Sequence, residues 1–283
     1  DDNYWEIHRH QQLSRAEKGT YSVIDSVQKV PSFKRAMDIT SLVLFGFKDF
    51  GNFEIGPVNT FYSYNPVEGA RIRFGGRSTP KFSQKLNLET YLAYSFKDEK
   101  YKYYLGSTWS LTPKTIYEFP VKYLKISYQN ETKIPGQDLQ FVQEDNILLS
   151  IKRGVNDKLF YNKTFKAEHL NEFANHFSYT IGYQFTNETP GGNLYYNYSD
   201  YTLHQNNIHS LDISELYLNL RYAPHEQFYQ GKLYRTPILN KYPVFELQYY
   251  VGSKLFKNDY NYQRLRFTIN KRFYPTILGY TDV

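Results

Sequence analysis

The chain has 283 residues, no cysteine and a formal net charge of +6, so neither disulfides nor thiolate metal sites hold its fold. Mean hydropathy is negative, and no window approaches the roughly eighteen apolar residues of a membrane helix. That excludes a helical membrane protein but leaves a membrane β-barrel open, because only alternate barrel residues face lipid. The 30 tyrosines and 21 phenylalanines exceed ordinary use, and amphipathic rings favour a bilayer interface.

The sequence opens Asp1-Asp2-Asn3 with no initiator methionine and no signal peptide, as expected of a mature or trimmed chain. Residues 1–48 read as a helical N-terminal segment, a periplasmic arm or a plug. Ser14-Arg15-Ala16-Glu17 has the form of a capping box, Tyr21, Ile24 and Val27 follow at helical spacing, and Pro31 ends the helix. A second short helix is expected over 32–45, with Phe33, Met37 and Leu44 on one face. His8 and His10 would diverge on a helix and no third ligand is apparent, so no metal and no other cofactor is expected.

Residues 49–283 read as strands. A strand over 53–64 leads into the turn Asn65-Pro66-Val67-Glu68-Gly69, after which Ala70, Ile72 and Phe74 alternate with Arg71 and Arg73 until Gly75-Gly76 breaks the strand. The clearest hairpin follows. Leu86, Leu88, Thr90, Leu92, Tyr94 and Phe96 share one phase against Asn87, Glu89, Tyr91, Ala93 and Ser95, and a polar link over 97–100 returns the chain into Tyr101, Tyr103, Leu105, Trp109 and Leu111. Arms of about ten residues suit a tilted strand that crosses a bilayer. Similar stripes start at Leu124, Ile147, Phe177, Leu216, Phe245 and Leu265. The longest loop is expected over 187–212, where Pro190-Gly191-Gly192 precedes Tyr195, Tyr196, Tyr198 and Tyr201, a candidate partner-docking loop. Counting strands from the 97–100 link puts 130–145 and 224–243 on the short-turn side, so either a strand is miscounted or these segments fold inward.

Within the stripes the apolar phase carries no charge. The opposite phase carries Arg71, Arg73, Lys102, Lys125, Lys152, Lys166, Arg221, Arg264 and Arg266 with fewer acids, Glu89, Glu168, Glu215 and Glu246. A soluble sandwich would alternate in the same way. Strand length, aromatics at the stripe ends and the basic polar phase favour an antiparallel transmembrane β-barrel with those basic residues facing a wet or plugged lumen. The basic residues are dispersed singly, which argues against nucleic acid and fits an acidic partner or anionic lipid headgroups. Asn130, Asn162, Asn187 and Asn197 each begin a sequon, read here as turn chemistry. No Gly-x-Ser-x-Gly, His-Glu-x-x-His or Gly-Lys-Ser/Thr motif is present. Enzyme chemistry reduces to a lumenal or surface hydrolase built on His169 or His176, an alternative to a noncatalytic barrel.

The stretch 62–76, with its Tyr-Asn and Val-Glu-Gly turn, resembles the barrel entry of the bacterial surface-antigen superfamily, that of the assembly factor BamA. Tyr4-Trp5-Glu6, the run 57–64, Glu131-Thr132-Lys133-Ile134-Pro135-Gly136, the runs 141–146 and 152–158, and Leu278-Gly279-Tyr280-Thr281-Asp282-Val283 resemble a Bacteroidota family of outer-membrane proteins with a carboxypeptidase-regulatory-like domain ahead of the barrel. The resemblance implies a barrel that continues past Val283, and it brings no active site. It implies a noncatalytic subunit of an outer-membrane machine for protein assembly or for export of surface proteins and lipoproteins. Outer-membrane lipids, other outer-membrane proteins or lipoproteins and a BamA-containing complex would be its partners. A self-standing pore or transporter with a basic lumen is the alternative.

Overall fold

The computed structural model describes residues 14–135, 157–199, 205–231, 234–238, 240–256, 258, 261–276 and 279–282. The chain forms two compact units, Asp1–Lys48 and Asp49–Val283. In the first, helix α1 (Arg15–Lys29) begins at a complete capping box. The Glu17 N–H donates to the Ser14 hydroxyl at 3.3 Å, and the Ser14 N–H donates to the Glu17 carboxylate at 2.8 Å. Val30 is extended, as the residue before a proline tends to be. Pro31 therefore ends one helix and supplies the first residue of the next, α2 (Pro31–Phe45).

The second unit is almost wholly antiparallel β. Its strands in chain order are β1 (Lys48–Asp49), β2 (Phe53–Ile55), β3 (Tyr62–Asn65), β4 (Gly69–Ser78), β5 (Leu86–Ser95), β6 (Lys100–Ser110), β7 (Lys122–Lys133), β8 (Lys158–Glu172), β9 (Phe177–Gly192), β10 (Tyr196–Ser199), β11 (Gln205–Ile208), β12 (Leu211–Tyr222), β13 (Phe228–Gln230), β14 (Arg235–Pro237), β15 (Val244–Gly252), β16 (Tyr262–Asn270), β17 (Arg272–Thr276) and β18 (Gly279–Asp282). Twelve of them make one sheet in the order β1-β2-β4-β5-β6-β7-β8-β9-β12-β15-β16, with β3 also paired to β4. The pairs β10–β11, β13–β14 and β17–β18 stand as separate hairpins. The sheet is not closed: β16 is one edge, and β1 with β3 lies at the other.

Several local expectations change. The single strand expected over 53–64 is two, because Gly56 and Pro57, joined by a cis peptide, and a 3-10 turn at Val58–Thr60 interrupt it. A proline without an N–H is tolerated there because this is the sheet edge. Gly75 and Gly76 do not break β4. They let neighbouring backbone come close: a Cβ on Gly76 would sit 2.5 Å from the Glu54 carbonyl oxygen, and one on Gly75 would sit 2.6 Å from the Tyr91 Cβ. The loop expected over 187–212 is largely strand, since β9 runs through Pro190 to Gly192 and β10–β11 extends beyond it. The antiparallel order also sorts the connections. Those after β5, β7, β9 and β15 leave one end of the sheet, and those after β4, β6, β8 and β12 leave the other. The β7–β8 and β9–β12 connections thus share an end, and the strand count that separated them was wrong. The segment 224–243 belongs to the opposite end, and part of it folds inward as β13–β14.

Burial is inverted relative to a soluble sheet. On β5, Asn87, Tyr91, Ala93 and Ser95 are buried, while Leu88 and Leu92 are exposed; on β6, Lys102, Thr108 and Ser110 are buried, while Leu105 and Trp109 are exposed. The same holds for buried Arg71 beside exposed Ile72 on β4, and for buried Ser214 and Glu215 beside exposed Leu216 on β12. The sheet is rolled with its polar phase inward, so that side chains two or three strands apart bond across the concave face. Arg71 on β4 reaches Glu131 on β7 at 2.6 Å, Tyr217 on β12 reaches Glu168 on β8 at 2.6 Å, and Arg264 on β16 reaches Glu215 on β12 at 3.3 Å.

Candidate functional site

The concave face carries the concentrated polar chemistry, in three groups along the strand direction. The first lies at the end where β4 and β6 begin. Gly69, in a left-handed conformation at φ 69°, ends a turn that lies so close to the β5–β6 link that a Cβ would fall 2.7 Å from the Lys97 Cβ. The turn places Glu68 inside, with no accessible surface. Its carboxylate lies 2.5 Å from the Lys102 Nζ and accepts from Asn65 at 2.5 Å, Thr132 at 3.0 Å and Ser95 at 3.3 Å. Lys102 also meets Asp98 at 2.9 Å and bonds to the Ser95 hydroxyl, and Tyr161 donates to Asp98 at 3.0 Å. Arg71 and Tyr91 both converge on Glu131, each at 2.6 Å. Burial alone would raise the Glu68 carboxyl, but Arg71 and Lys102, with hydrogen bonds from Lys102 and Asn65, hold it below its ordinary range.

The second group closes the opposite end. The β13–β14 hairpin leaves β12 and reaches strands far around the sheet. Tyr234 donates to Glu54 at 2.5 Å, packs edge-on against Tyr117 with ring centroids 4.6 Å apart, and lies 4.4 Å beneath the Arg77 guanidinium. Arg235 grips Glu172 at 2.9 and 3.2 Å and covers the Phe228 ring at 4.1 Å. Phe228 stacks near Phe119, which in turn faces His176 at 4.9 Å. Burial in this cluster raises the Tyr117 phenol to about 12.

Between the two lies a cavity of about 360 Å³, lined from β7–β9 by Gln129, Lys133, Thr164, Lys166 and Gln184 and from β15–β16 by Gln248, Tyr250, Arg264 and Arg266. No carboxylate is among its described lining residues. Lys166 meets Glu168 at 2.8 Å, and Arg264 meets Glu215 at 3.3 Å and lies 4.2 Å over the Tyr250 ring.

The basic residues singled out by sequence thus occupy different settings. Arg71 and Lys102 belong to the buried end network. Lys166, Arg264 and Arg266 line the cavity. Arg73 stacks 3.6 Å over the Tyr91 ring, Lys125 pairs with Glu89 at 3.3 Å, and Arg221 forks onto Glu226 at 2.7 and 2.8 Å with Glu246 at 3.6 Å. Lys152 and Tyr201 lie outside the described residues, as does the Tyr198 side chain. Tyr195 is exposed, and Tyr196 donates to Glu188. His169 Nδ1 faces the Tyr123 carbonyl at 3.0 Å and His176 stacks on Phe119; among the described residues neither meets a serine hydroxyl or a carboxylate. No group of three or more His, Asp or Glu able to hold a metal occurs among them either. Sequence reading missed the acids Glu68, Asp98 and Glu131 and the cavity amides Gln129, Gln184 and Gln248. Each sits in the inward phase of its strand or in an adjoining turn, which was the available signal.

Residues 47–283 match the model of the C-terminal domain of DUF5686, a family of unknown function. The chain belongs to the DUF5686 family. No curated protein and no solved structure matches it. In DUF5686 terms, the matched domain begins one residue before β1 and takes in the whole rolled sheet, so the end network, the inward hairpin and the cavity are all features of that domain. Chemically, the arrangement offers fixed hydrogen-bond donors and positive charge around a polar-lined cavity, with one end of the concave face crossed by a hairpin.

Proposed function

We propose that this DUF5686 chain is an outer-membrane β-barrel that serves as a noncatalytic subunit of a multi-protein machine for outer-membrane protein assembly or for export of surface proteins and lipoproteins. The observation that carries the membrane reading is the inverted burial: polar side chains inside and a continuous apolar face outside. Leu265, Phe267 and Ile269 on β16 and Leu92, Phe74 and Leu105 on β4–β6 are all exposed. An exposed apolar surface on this scale calls for lipid or a partner. Strand length agrees: β4–β7, β12, β15 and β16 span 9 to 12 residues, close to the ~9–11 of a tilted membrane strand. Aromatics gather toward the strand ends, with Tyr94, Phe96 and Tyr101 at one and Phe53 and Phe82 at the other, as in interfacial girdles. Closure into a barrel is part of the proposal, supplied by strands beyond β16 or by a partner. No helix among the described residues is long and apolar enough to cross a membrane.

The machine-subunit reading is supported by the resemblance of 62–76 to the BamA superfamily and of the other quoted runs to the Bacteroidota barrel family. It is further supported by the hairpin and ion pairs that fill the concave face, which suit a plugged scaffold better than an open pore. Purification of the full-length protein from native membranes in mild detergent tests it. Stoichiometric co-purifying outer-membrane proteins or lipoproteins are the expected result, and a lone barrel overturns it. The basic cavity favours a second reading, a pore or transporter, for which steady ion conductance in planar bilayers is the signature.

A further inference from the structure

We propose that the cavity between β7–β9 and β15–β16 is a binding site for an anionic saccharide, a sugar-sized molecule bearing a phosphate or carboxylate. Its lining unites the side chains of Lys133, Lys166, Arg264 and Arg266 on strands four or five apart in the sheet, with no carboxylate among the described lining residues. Positive charge that converges on a concave space selects an anion, and arginine forks match the planar geometry of carboxylate and phosphate oxygens. Lys166 and Arg264 also pair with Glu168 and Glu215, and Tyr217 and Tyr262 donate to the same two carboxylates, so both cations are held in place at the cavity.

Size and the remaining groups narrow the class. A volume of about 360 Å³ lies at the low end of small-molecule sites, roughly 300–1,000 Å³, whereas a water in bulk takes about 30 Å³. A bare inorganic ion would leave most of the space to solvent. Ligand sites are usually walled by apolar side chains; here the non-cationic lining is three carboxamides, a threonine hydroxyl and one tyrosine. Carboxamides and hydroxyls both donate and accept, which is what a ring of sugar hydroxyls requires. Tyr250, held under Arg264 at 4.2 Å, presents the single aromatic surface.

Calorimetric titration of the full-length protein in detergent with glucose 1-phosphate, glucuronate, glucose and inorganic phosphate tests the assignment. At least one anionic sugar should bind saturably, with an affinity that falls as salt rises, and glucose should not bind. Arg266→Gln should weaken binding at least about tenfold through loss of a charge-assisted hydrogen bond, and Gln248→Leu should weaken the anionic sugar while sparing inorganic phosphate. Lys85→Gln, an exposed charge outside the cavity, should change nothing. If Arg266→Gln fails to fold, the Gln248→Leu comparison decides alone. Absence of saturable binding by both anionic sugars, equal binding of glucose, or inorganic phosphate bound as tightly as the sugar anions would each overturn the proposal.

Discussion

Replacing Glu68 by glutamine removes one carboxylate from a network whose cations cannot reach water. Lys102 and Glu68 expose 2% and 0% of their side chains and stand 2.5 Å apart. Breaking a buried pair by deleting one partner costs about 3–5 kcal/mol, because the survivor is left as an uncompensated charge. After Glu68→Gln, Lys102 keeps Asp98 at 2.9 Å and Arg71 keeps Glu131 at 2.6 Å, which puts the loss near the lower bound, about 3 kcal/mol. Lys102→Met should cost more, about 4–5 kcal/mol, since Glu68 then retains only Arg71 at 3.9 Å as a cation. The double variant restores neutrality and should fall short of the sum by about 1–3 kcal/mol. Urea unfolding of the protein in lipid vesicles, followed by Trp109 on the exposed apolar face, reads all three values. A cost below about 1 kcal/mol for Glu68→Gln, or singles that add to within about 0.5 kcal/mol, would refute the account of this network as mutually dependent charges.

The same carboxyl carries a pH prediction, and two more concern other strands. The Glu68 carboxyl is held below its ordinary value in the folded state, so its contribution is full above the unfolded carboxylate range, near 4.3, and vanishes as pH falls through the lower folded value. Urea midpoints of the native protein should therefore drop in acid more steeply than those of Glu68→Gln, and parallel curves would contradict this. A Cβ on Gly182 would lie 2.4 Å from the ring of Tyr217, its register partner on β12, so Gly182→Val should displace Tyr217 from Glu168 and cost about 1–3 kcal/mol; an unchanged urea midpoint would show that the ring yields freely. Phe267→Lys on the exposed face of β16 should lower the stability of the lipid-inserted form by about 2–4 kcal/mol near the midplane, measured by vesicle folding titrations, whereas Thr268→Lys on the opposite phase should be milder. Equal costs for the two would count against lipid on the apolar face.

Much of the sheet is legible from period-two alternation. The hairpin of β5 and β6, with its link at 97–100, lies where Leu86 to Trp109 place it, and the capping box at Ser14 fixes the start of α1. Alternation does not say which phase is inside, because a sandwich and a rolled sheet share the pattern. That depends on curvature, which local sequence does not encode. The glycines misled for a related reason. Gly75-Gly76 has the composition of a turn, yet the pair marks the close backbone approach of β2 and β5, a tertiary fact. The basic residues were visible one by one, but their grouping was not. Arg71 meets Glu131, which is 60 positions away, and Arg266 shares a cavity with Lys133; neither pairing has a local signature.

The hairpin β13–β14 also carries a consequence for the order of events during folding. Its anchor, Tyr234 to Glu54, joins residues 180 positions apart, while the adjacent strands of the sheet are joined mostly through near neighbours in sequence. Closing so long a loop in an unstructured chain costs entropy that one hydrogen bond does not recover. The contact becomes affordable only after the intervening strands have paired and the sheet has rolled enough to bring β2 beneath the hairpin. Docking is thus a late step that local assembly must precede, as expected for contacts of high sequence separation. Because Tyr234 and Arg235 seat on β2, β4 and β8 at once, through Glu54, Arg77 and Glu172, a seated hairpin reports that the roll is complete in one local event.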